Sequence, residues 1–341
     1  MSLAELNALG LTREEVIDFS VNINPLGPPP GVAAALSRVN IAAYPDPECR
    51  EIREMISRLT GVSPGQIVIG NGSTDLIHLL AHTYLGKGSQ ALIMVPTFAE
   101  YETAARLAGA GVVLQEAVEE NDFIWDMSVV CREVRHRQPG LVFLCQPNNP
   151  TGRYLEREAV ESLAEAAGQG LLVLDEAYIS FVYEAWDSCQ LLSQGNVVVL
   201  RSMTKDYALT GLRLGYALCP AGVARALSVS KPSWSVNAVA QAAGLTALAD
   251  REHLLRGISC VQEGRGYLHL ELGALGYKVL PSVANFLLVK VGGAAALRKR
   301  LLRRGVCVRD CTSFGLSEYI RIGVRTLPEC QRLLEVLREV K

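Results

Sequence analysis

Five short runs between residues 66 and 200 are almost wholly apolar. They are "QIVI" (66–69), "ALIMV" (91–95), "LVFLC" (141–145), "GLLVLD" (170–175) and "NVVVL" (196–200). A strand with one wet face alternates polar and apolar residues, whereas a strand covered on both faces does not. The runs therefore predict strands of a mainly parallel sheet with helices on both faces. The intervening segments have helical spacing: over 74–85, Leu76, Ile77, Leu79, Leu80 and Tyr84 share one side. This alternation predicts an α/β fold. From about residue 240 the pattern changes to a helical stretch through 270, "YKVL", "ANFLLVK", a helix over 294–304, "GVCVRD", "YIRIGV" and a last helix, the pattern of a smaller α+β domain. The opening residues, rich in Asn and Pro ("NINPLGPPPG"), predict an arm. The expected division is an arm over 1–37 packing with the small domain, a large domain over 38–238 and a small domain over 239–341.

Composition narrows the function classes. The chain has 341 residues, 49% hydrophobic and 20% charged, with a net charge of −2. Near-neutrality without a run of like charge argues against nucleic acid or an anionic membrane as the main partner. No apolar segment approaches the roughly 20 residues that span a bilayer, and "MSLAELNALG" lacks the basic flank and apolar stretch of a signal peptide. The nine cysteines include no C-x-x-C pair, which predicts a reducing cytoplasm and no metal centre.

In open α/β sheets, ligands bind beyond the carboxyl ends of the strands. After "QIVI" comes "GNGSTD", where a glycine turn leads into a helix start that favours an anion, with Ser73 and Thr74 at hand. After "ALIMV" comes "PTFAEY", with Phe98 placed to stack on a flat ligand. "LVFLC" leads to "QPNNPTG" and Asn149, and "GLLVL" leads to Asp175 and Tyr178. "NVVVL" leads to Ser202, Thr204 and Lys205, with Arg213 eight residues beyond the lysine. Singly, each is an ordinary cap, turn, core or surface residue. Together they answer the needs of one ligand, pyridoxal 5′-phosphate (PLP). Its aldehyde needs a lysine amine, its ring nitrogen a carboxylate, and its phosphate N–H groups, hydroxyls and an arginine.

Through "PNNPTG", "LDEAY" and "RSMTKDYALTGLRLGY" the chain resembles the fold-type I PLP-dependent aminotransferase superfamily, over nearly its whole length. The resemblance implies that Lys205 forms the imine with the cofactor and that Asp175 pairs with the ring nitrogen. It implies that Tyr178 and Asn149 bond the phenolic oxygen, that Phe98 stacks on the ring, and that Ser73, Thr74, Ser202, Thr204 and Arg213 hold the phosphate. It further implies a homodimer in which Tyr44, from "YPDP", reaches the neighbouring site.

Two branches compete within this superfamily, histidinol-phosphate aminotransferases and L-threonine-O-3-phosphate decarboxylases, which serve cobalamin biosynthesis. "DFSVNINPLGPPPG", "PSWSVNAVA" and "YIRIGVR" resemble the decarboxylases, although the His-Gly stretch usual near their N-terminus has no counterpart. The expectation is decarboxylation of a phosphorylated hydroxy-amino acid, foremost L-threonine O-3-phosphate to (R)-1-aminopropan-2-yl phosphate and carbon dioxide, with phosphoserine open. Arg309, Arg321 and Arg325 would meet the substrate's two anionic ends, and Arg321 with Asn24 would turn its carboxylate out of the ring plane. If the Cα–H bond lies perpendicular instead, Lys205 removes the proton and the reaction is transamination with 2-oxoglutarate or glutamate, the alternative. A non-catalytic PLP-binding protein would not require this complete residue set. A nucleotide-binding protein is disfavoured because "GNGSTD" lacks the P-loop lysine and the G-x-G-x-x-G spacing.

Overall fold

The computed structural model describes residues 3–340, so the first two residues of the arm and the last of the small domain lie outside it. The central sheet has seven strands: β1 (Ile67–Gly70), β2 (Gln90–Val95), β3 (Gly111–Glu116), β4 (Leu141–Cys145), β5 (Leu171–Asp175), β6 (Val197–Ser202) and β7 (Gly215–Leu218). Their spatial order is β1-β7-β6-β5-β4-β2-β3. Only β7 runs antiparallel to its neighbours. β4 and β5 are buried at every position, as their unbroken apolar runs require. Apolar clusters cover both faces, one including Leu144, Leu172 and Val199, the other Phe143, Val173 and Val198. Side chains that alternate in sequence thus feed opposite cores, each worth about 1.5–3 kcal/mol when fully buried.

Two strands differ from the expected pattern. β3 is an edge strand with no fully buried position, and its apolar run is confined to Val112, Val113 and Leu114. β7 is short and starts at Gly215, whose added Cβ would stand 2.6 Å from the Ser73 backbone nitrogen. Glycine there lets β7 lie against the start of the helix Ser73–Tyr84.

The small domain has an antiparallel sheet of β8 (Lys278–Val279), β9 (Phe286–Lys290), β10 (Arg309–Asp310) and β11 (Tyr319–Gly323), in the order β10-β11-β9-β8. The helices Arg251–Ala274, Ala294–Leu302 and Leu327–Val340 share its core through Val261, Leu268, Leu297, Leu301, Leu333 and Leu337. At the expected 238/239 boundary the helix Ala238–Ala249 begins, and its Ala240, Ala243 and Ala247 join the apolar cluster that also holds Leu144, Leu172 and Val199. The arm touches both bodies: Ile17–Asp18 pairs in parallel with Val306–Cys307, while Val32 joins the large core. Among the described residues no helix is long and apolar enough to cross a membrane, and no group of acidic, His or Cys residues could hold a metal ion.

Candidate active site

Parallel strands bring their carboxyl ends to one edge, and there the sequence turns chemical. Ser73, Thr74, Phe98, Asn149, Asp175, Tyr178, Ser202, Thr204, Lys205 and Arg213 line one cavity of about 170 Å3, together with Tyr101, Cys145 and Ala177. The helix Ser73–Tyr84 begins without a side-chain cap, so its first amides face the cavity unsatisfied, an arrangement suited to an anion. A Cβ on Gly72, whose φ is +89°, would stand 2.8 Å from Arg213 Nη2, so glycine lets the guanidinium approach the helix start. Arg213 itself has φ of 60°, a left-handed conformation costly for a side chain that the fold nevertheless holds here. Ser202 Oγ and Thr204 Oγ1 lie 2.7 Å apart on the same side.

Opposite the phosphate-type cradle, Asp175 ends β5, 3% exposed. Its Oδ1 accepts from the Ala177 N–H at 3.1 Å and its Oδ2 from the Tyr101 hydroxyl at 2.7 Å. Burial raises its pKa above the usual carboxylate range, opposed by the Tyr101 hydroxyl, the Ala177 amide and the charge of Lys205. Burial also brings the Lys205 amine down to about 8, with the Arg321 and Arg213 guanidiniums pushing the same way. Lys205 Nζ lies 5.9 Å from the centroid of the Tyr178 ring. Burial drives the Tyr178 hydroxyl up to about 12, leaving it a hydrogen-bond donor at neutral pH.

A second cavity of about 560 Å3 shares Phe98, Asn149, Tyr178 and Lys205 with the first and adds Ser20, Val21, Glu100, Arg298, Arg309, Ser313, Phe314 and Arg321. Arg309 and Arg321 are register partners on β10 and β11. Arg321 is 8% exposed and donates from Nη1 to Asn149 Oδ1 and from Nη2 to the Ser20 carbonyl at 3.0 Å, while its Nε has no partner. Since the Asn149 carbonyl oxygen is occupied by Arg321, the amide's N–H groups remain to donate into the first cavity. Arg309 donates to Ser313 Oγ at 2.8 Å. Among the described residues neither arginine meets a carboxylate, which leaves two adjacent cations that an anion would satisfy.

Two expected substrate residues, Asn24 and Arg325, line neither cavity, and Tyr44, expected at the neighbouring subunit's site, lies on the surface of this chain. Asn24 is fully buried, but its Nδ2 donates to the Asp206 carbonyl at 2.9 Å and its Oδ1 accepts from the Leu26 N–H at 3.0 Å. It ties the arm to the turn carrying Lys205, whose carbonyl accepts from the Asn24 N–H at 2.7 Å. Arg325 lines neither cavity and pairs with Glu329 at 2.7 Å, one helical turn away. Tyr44 is 83% exposed, its ring 4.8 Å from that of Trp234, outside both cavities. The sequence reading passed over Tyr101, whose position in "FAEY" looks like helix core. It also passed over Asn22, a buried amide with no hydrogen-bond partner, two residues before the asparagine it selected.

The donor set fits PLP: an amine of lowered pKa, a buried carboxylate, and an anion cradle, all on one cavity. Comparisons with known proteins agree. A histidinol-phosphate aminotransferase from Symbiobacterium thermophilum is 38% identical over 335 residues, covering 97% of this chain and 91% of the relative. Other relatives of that name are 33–35% identical. The crystal structure of histidinol-phosphate aminotransferase from Sinorhizobium meliloti, in complex with pyridoxal-5′-phosphate, superposes with a TM-score of 0.89 at 26% identity, covering 99% of this chain and 94% of that one. That of L-threonine-O-3-phosphate decarboxylase from Porphyromonas gingivalis superposes with a TM-score of 0.83 at 28% identity, covering 95% and 99%.

These relatives overturn the expected decarboxylation of L-threonine O-3-phosphate, and with it the lyase and cobalamin assignments. Curated proteins 33–38% identical over nearly the whole chain are named as aminotransferases. The physical reason for the error is visible in two side chains. Arg325 is paired with Glu329 and cannot serve as an additional substrate guanidinium, and Asn24 is already satisfied by the backbone. Residues 14–337 match the family described as aminotransferase class I and II, and the chain belongs to that family.

Proposed function

We propose that this protein is a PLP-dependent aminotransferase that takes the amino group from a phosphorylated amino alcohol of the histidinol phosphate kind and gives it to 2-oxoglutarate. One observation carries the reading. The cavity holding Lys205 and Asp175 opens, through four shared lining residues, into a larger one with two arginines free of carboxylate partners. The names of the relatives support the substrate.

When bound, PLP supplies an aldehyde that captures amines and a ring that accepts the electron pair of a bond broken at the substrate's Cα. Ser73, Thr74, Ser202, Thr204 and Arg213 would hold its phosphate, Asp175 its ring nitrogen, Tyr178 and Asn149 its phenolic oxygen, and Phe98 the ring face. The buried carboxylate of Asp175 would favour a proton on that nitrogen. Lys205, with an amine near pH 8, takes the proton from the substrate's Cα. Histidinol phosphate has no carboxylate on Cα, so Cα–H is the bond available for cleavage. Arg309 and Arg321 hold its phosphate, and in the second half-reaction the carboxylates of 2-oxoglutarate. One pair of cations thus serves both partners in turn. The protein acts as a homodimer, with the exposed Tyr44, Trp234, Ile41 and Val229 covered by the second copy.

The test is incubation of the PLP-loaded protein with histidinol phosphate and 2-oxoglutarate. Glutamate should form in step with consumption of the amine, with no carbon dioxide. Carbon dioxide from phosphothreonine without any keto acid, and no glutamate, would refute the proposal.

A further inference from the structure

We infer that Tyr101 is a positioning residue that keeps Asp175 ionised and oriented toward the cofactor's ring nitrogen. The inference rests on the PLP reading above and extends it to a residue that does not itself carry the chemistry.

The geometry is specific. Tyr101 is fully buried, and its ring stacks on Phe143 with centroids 5.1 Å apart and planes 14° from parallel. Phe98 meets it edge-on at 5.8 Å. These two rings fix the phenol so that its hydroxyl has one direction, toward Asp175 Oδ2 at 2.7 Å. The other oxygen is fixed by the Ala177 N–H. Each carboxylate oxygen therefore has one donor, and the carboxylate plane cannot turn without breaking a hydrogen bond at a buried position. Phe98, just before the helix Glu100–Leu107, serves the ring face and Tyr101, in its first turn, the carboxylate; the Tyr101 N–H donates to the Phe98 carbonyl at 3.4 Å, which couples the two sides of the ring pocket.

The electrostatics point the same way. Burial favours the neutral form of Asp175, and the Tyr101 hydroxyl is the strongest influence opposing it. The other titratable groups facing Asp175 are Lys205, Cys145 and Tyr178. Cys145 and Tyr178 have pKa values of about 12, so at neutral pH they add no charge, and Lys205 alone shares the task. Once Lys205 is committed to the cofactor its charge no longer faces Asp175 in the same form, and the Tyr101 hydrogen bond becomes the remaining side-chain support for the carboxylate. A neutral Asp175 would no longer stabilise a protonated ring nitrogen, and the ring would lose its capacity to accept electrons.

Tyr101→Phe removes one oxygen and keeps both ring contacts, so the fold is retained. Two quantities should change. The affinity of the apoprotein for PLP, measured by equilibrium titration, should fall by about tenfold. The acid limb of the kcat/KM profile should move up by about one pH unit, because Asp175 gains its proton at higher pH. Tyr101→His, which returns an N–H donor, should recover part of both and also covers the case in which Tyr101→Phe does not fold. If Tyr101→Phe binds PLP as the parent does and keeps its pH profile, the inference is overturned while the PLP reading stands. A uniform loss of activity across pH with unchanged PLP affinity also overturns it, leaving Tyr101 a packing residue. If the parent protein itself binds no PLP, the functional reading fails and takes this inference with it.

Discussion

The two walls of the active site are made of different materials. On the large-domain side, residues from four strand ends and a helix start converge because parallel strands point the same way, and Asp175 is already held there by the Tyr101 hydroxyl and the Ala177 N–H. On the small-domain side, Arg309 and Arg321 stand side by side on an antiparallel pair, and their charges have no carboxylate to meet. The first wall is built for one resident molecule and is organised before it arrives. The second is left electrostatically incomplete, as a surface must be if it is to accept a phosphate in one half-reaction and carboxylates in the next. Asn149 joins them, its oxygen held by Arg321 and its nitrogen left for the cofactor side. In the proposed function, catalytic capacity belongs to one wall and choice of substrate to the other.

The comparison breaks most clearly at Lys205. Lys205→Ala should lower glutamate formation by at least about 10²–10⁴-fold, while anion binding at Arg309 and Arg321 is retained. Turnover within tenfold of the parent would remove the distinction between the walls. Next comes the asymmetry between the arginines. Truncating a desolvated, hydrogen-bonded charge costs about 2–5 kcal/mol, so Arg321→Ala should depress kcat/KM by roughly 30- to 4,000-fold and lower kcat as well, since Asn149 loses its partner. Arg309→Ala should mainly raise KM for the phosphorylated donor, by roughly tenfold. Equal effects of the two on kcat would show that Arg321 does not link the walls.

A smaller effect lies in the pH dependence of stability without cofactor. The Lys205 amine titrates at about 8 in the folded protein and about 10.4 unfolded. Between these values the unfolded chain binds more protons, so stability rises with pH across that window, and the full burial penalty is present below it. Lys205→Met should therefore be more stable than the parent by about 3 kcal/mol below pH 8, with the gap closing toward pH 10. A gap that widens with pH would reverse the sign of the shift. The smallest change is expected for Arg325→Ala: about 0.3–1 kcal/mol of stability and less than twofold in kcat/KM. A tenfold rise in KM there would return Arg325 to the substrate site.

The same division governs what the sequence disclosed. The cofactor wall was legible because strand ends are marked by unbroken apolar runs, and the residues just beyond five such runs, each ordinary alone, together meet the needs of one ligand. The substrate wall was legible only in part, since Arg309 and Arg321 face the cavity while Arg325, on the same stretch, does not. A local signal for Arg325 was available. Thr326 donates both its N–H and its hydroxyl to Glu329 at the start of the last helix, and Arg325 lies four residues before that glutamate. For Asn24 there was no such signal, because its partner Asp206 is 182 residues away. The edge strand β3 escaped notice because no position in it is buried, and β7 because it is only four residues long and opens with glycine, although its Ala217 and Leu218 feed opposite cores. Tyr101 could not be separated from core by pattern alone, because it is core, apart from one oxygen.

The most direct measurement is a single half-reaction. Histidinol phosphate, added to the PLP-loaded protein without a keto acid, should convert the cofactor stoichiometrically to its amine form, with loss of the visible absorption band and no carbon dioxide. Addition of 2-oxoglutarate should then restore the band and release one glutamate per site. Persistence of the band with histidinol phosphate, or its loss accompanied by carbon dioxide from a phosphorylated amino acid, would contradict the assignment of this protein as an aminotransferase of phosphorylated amino alcohols.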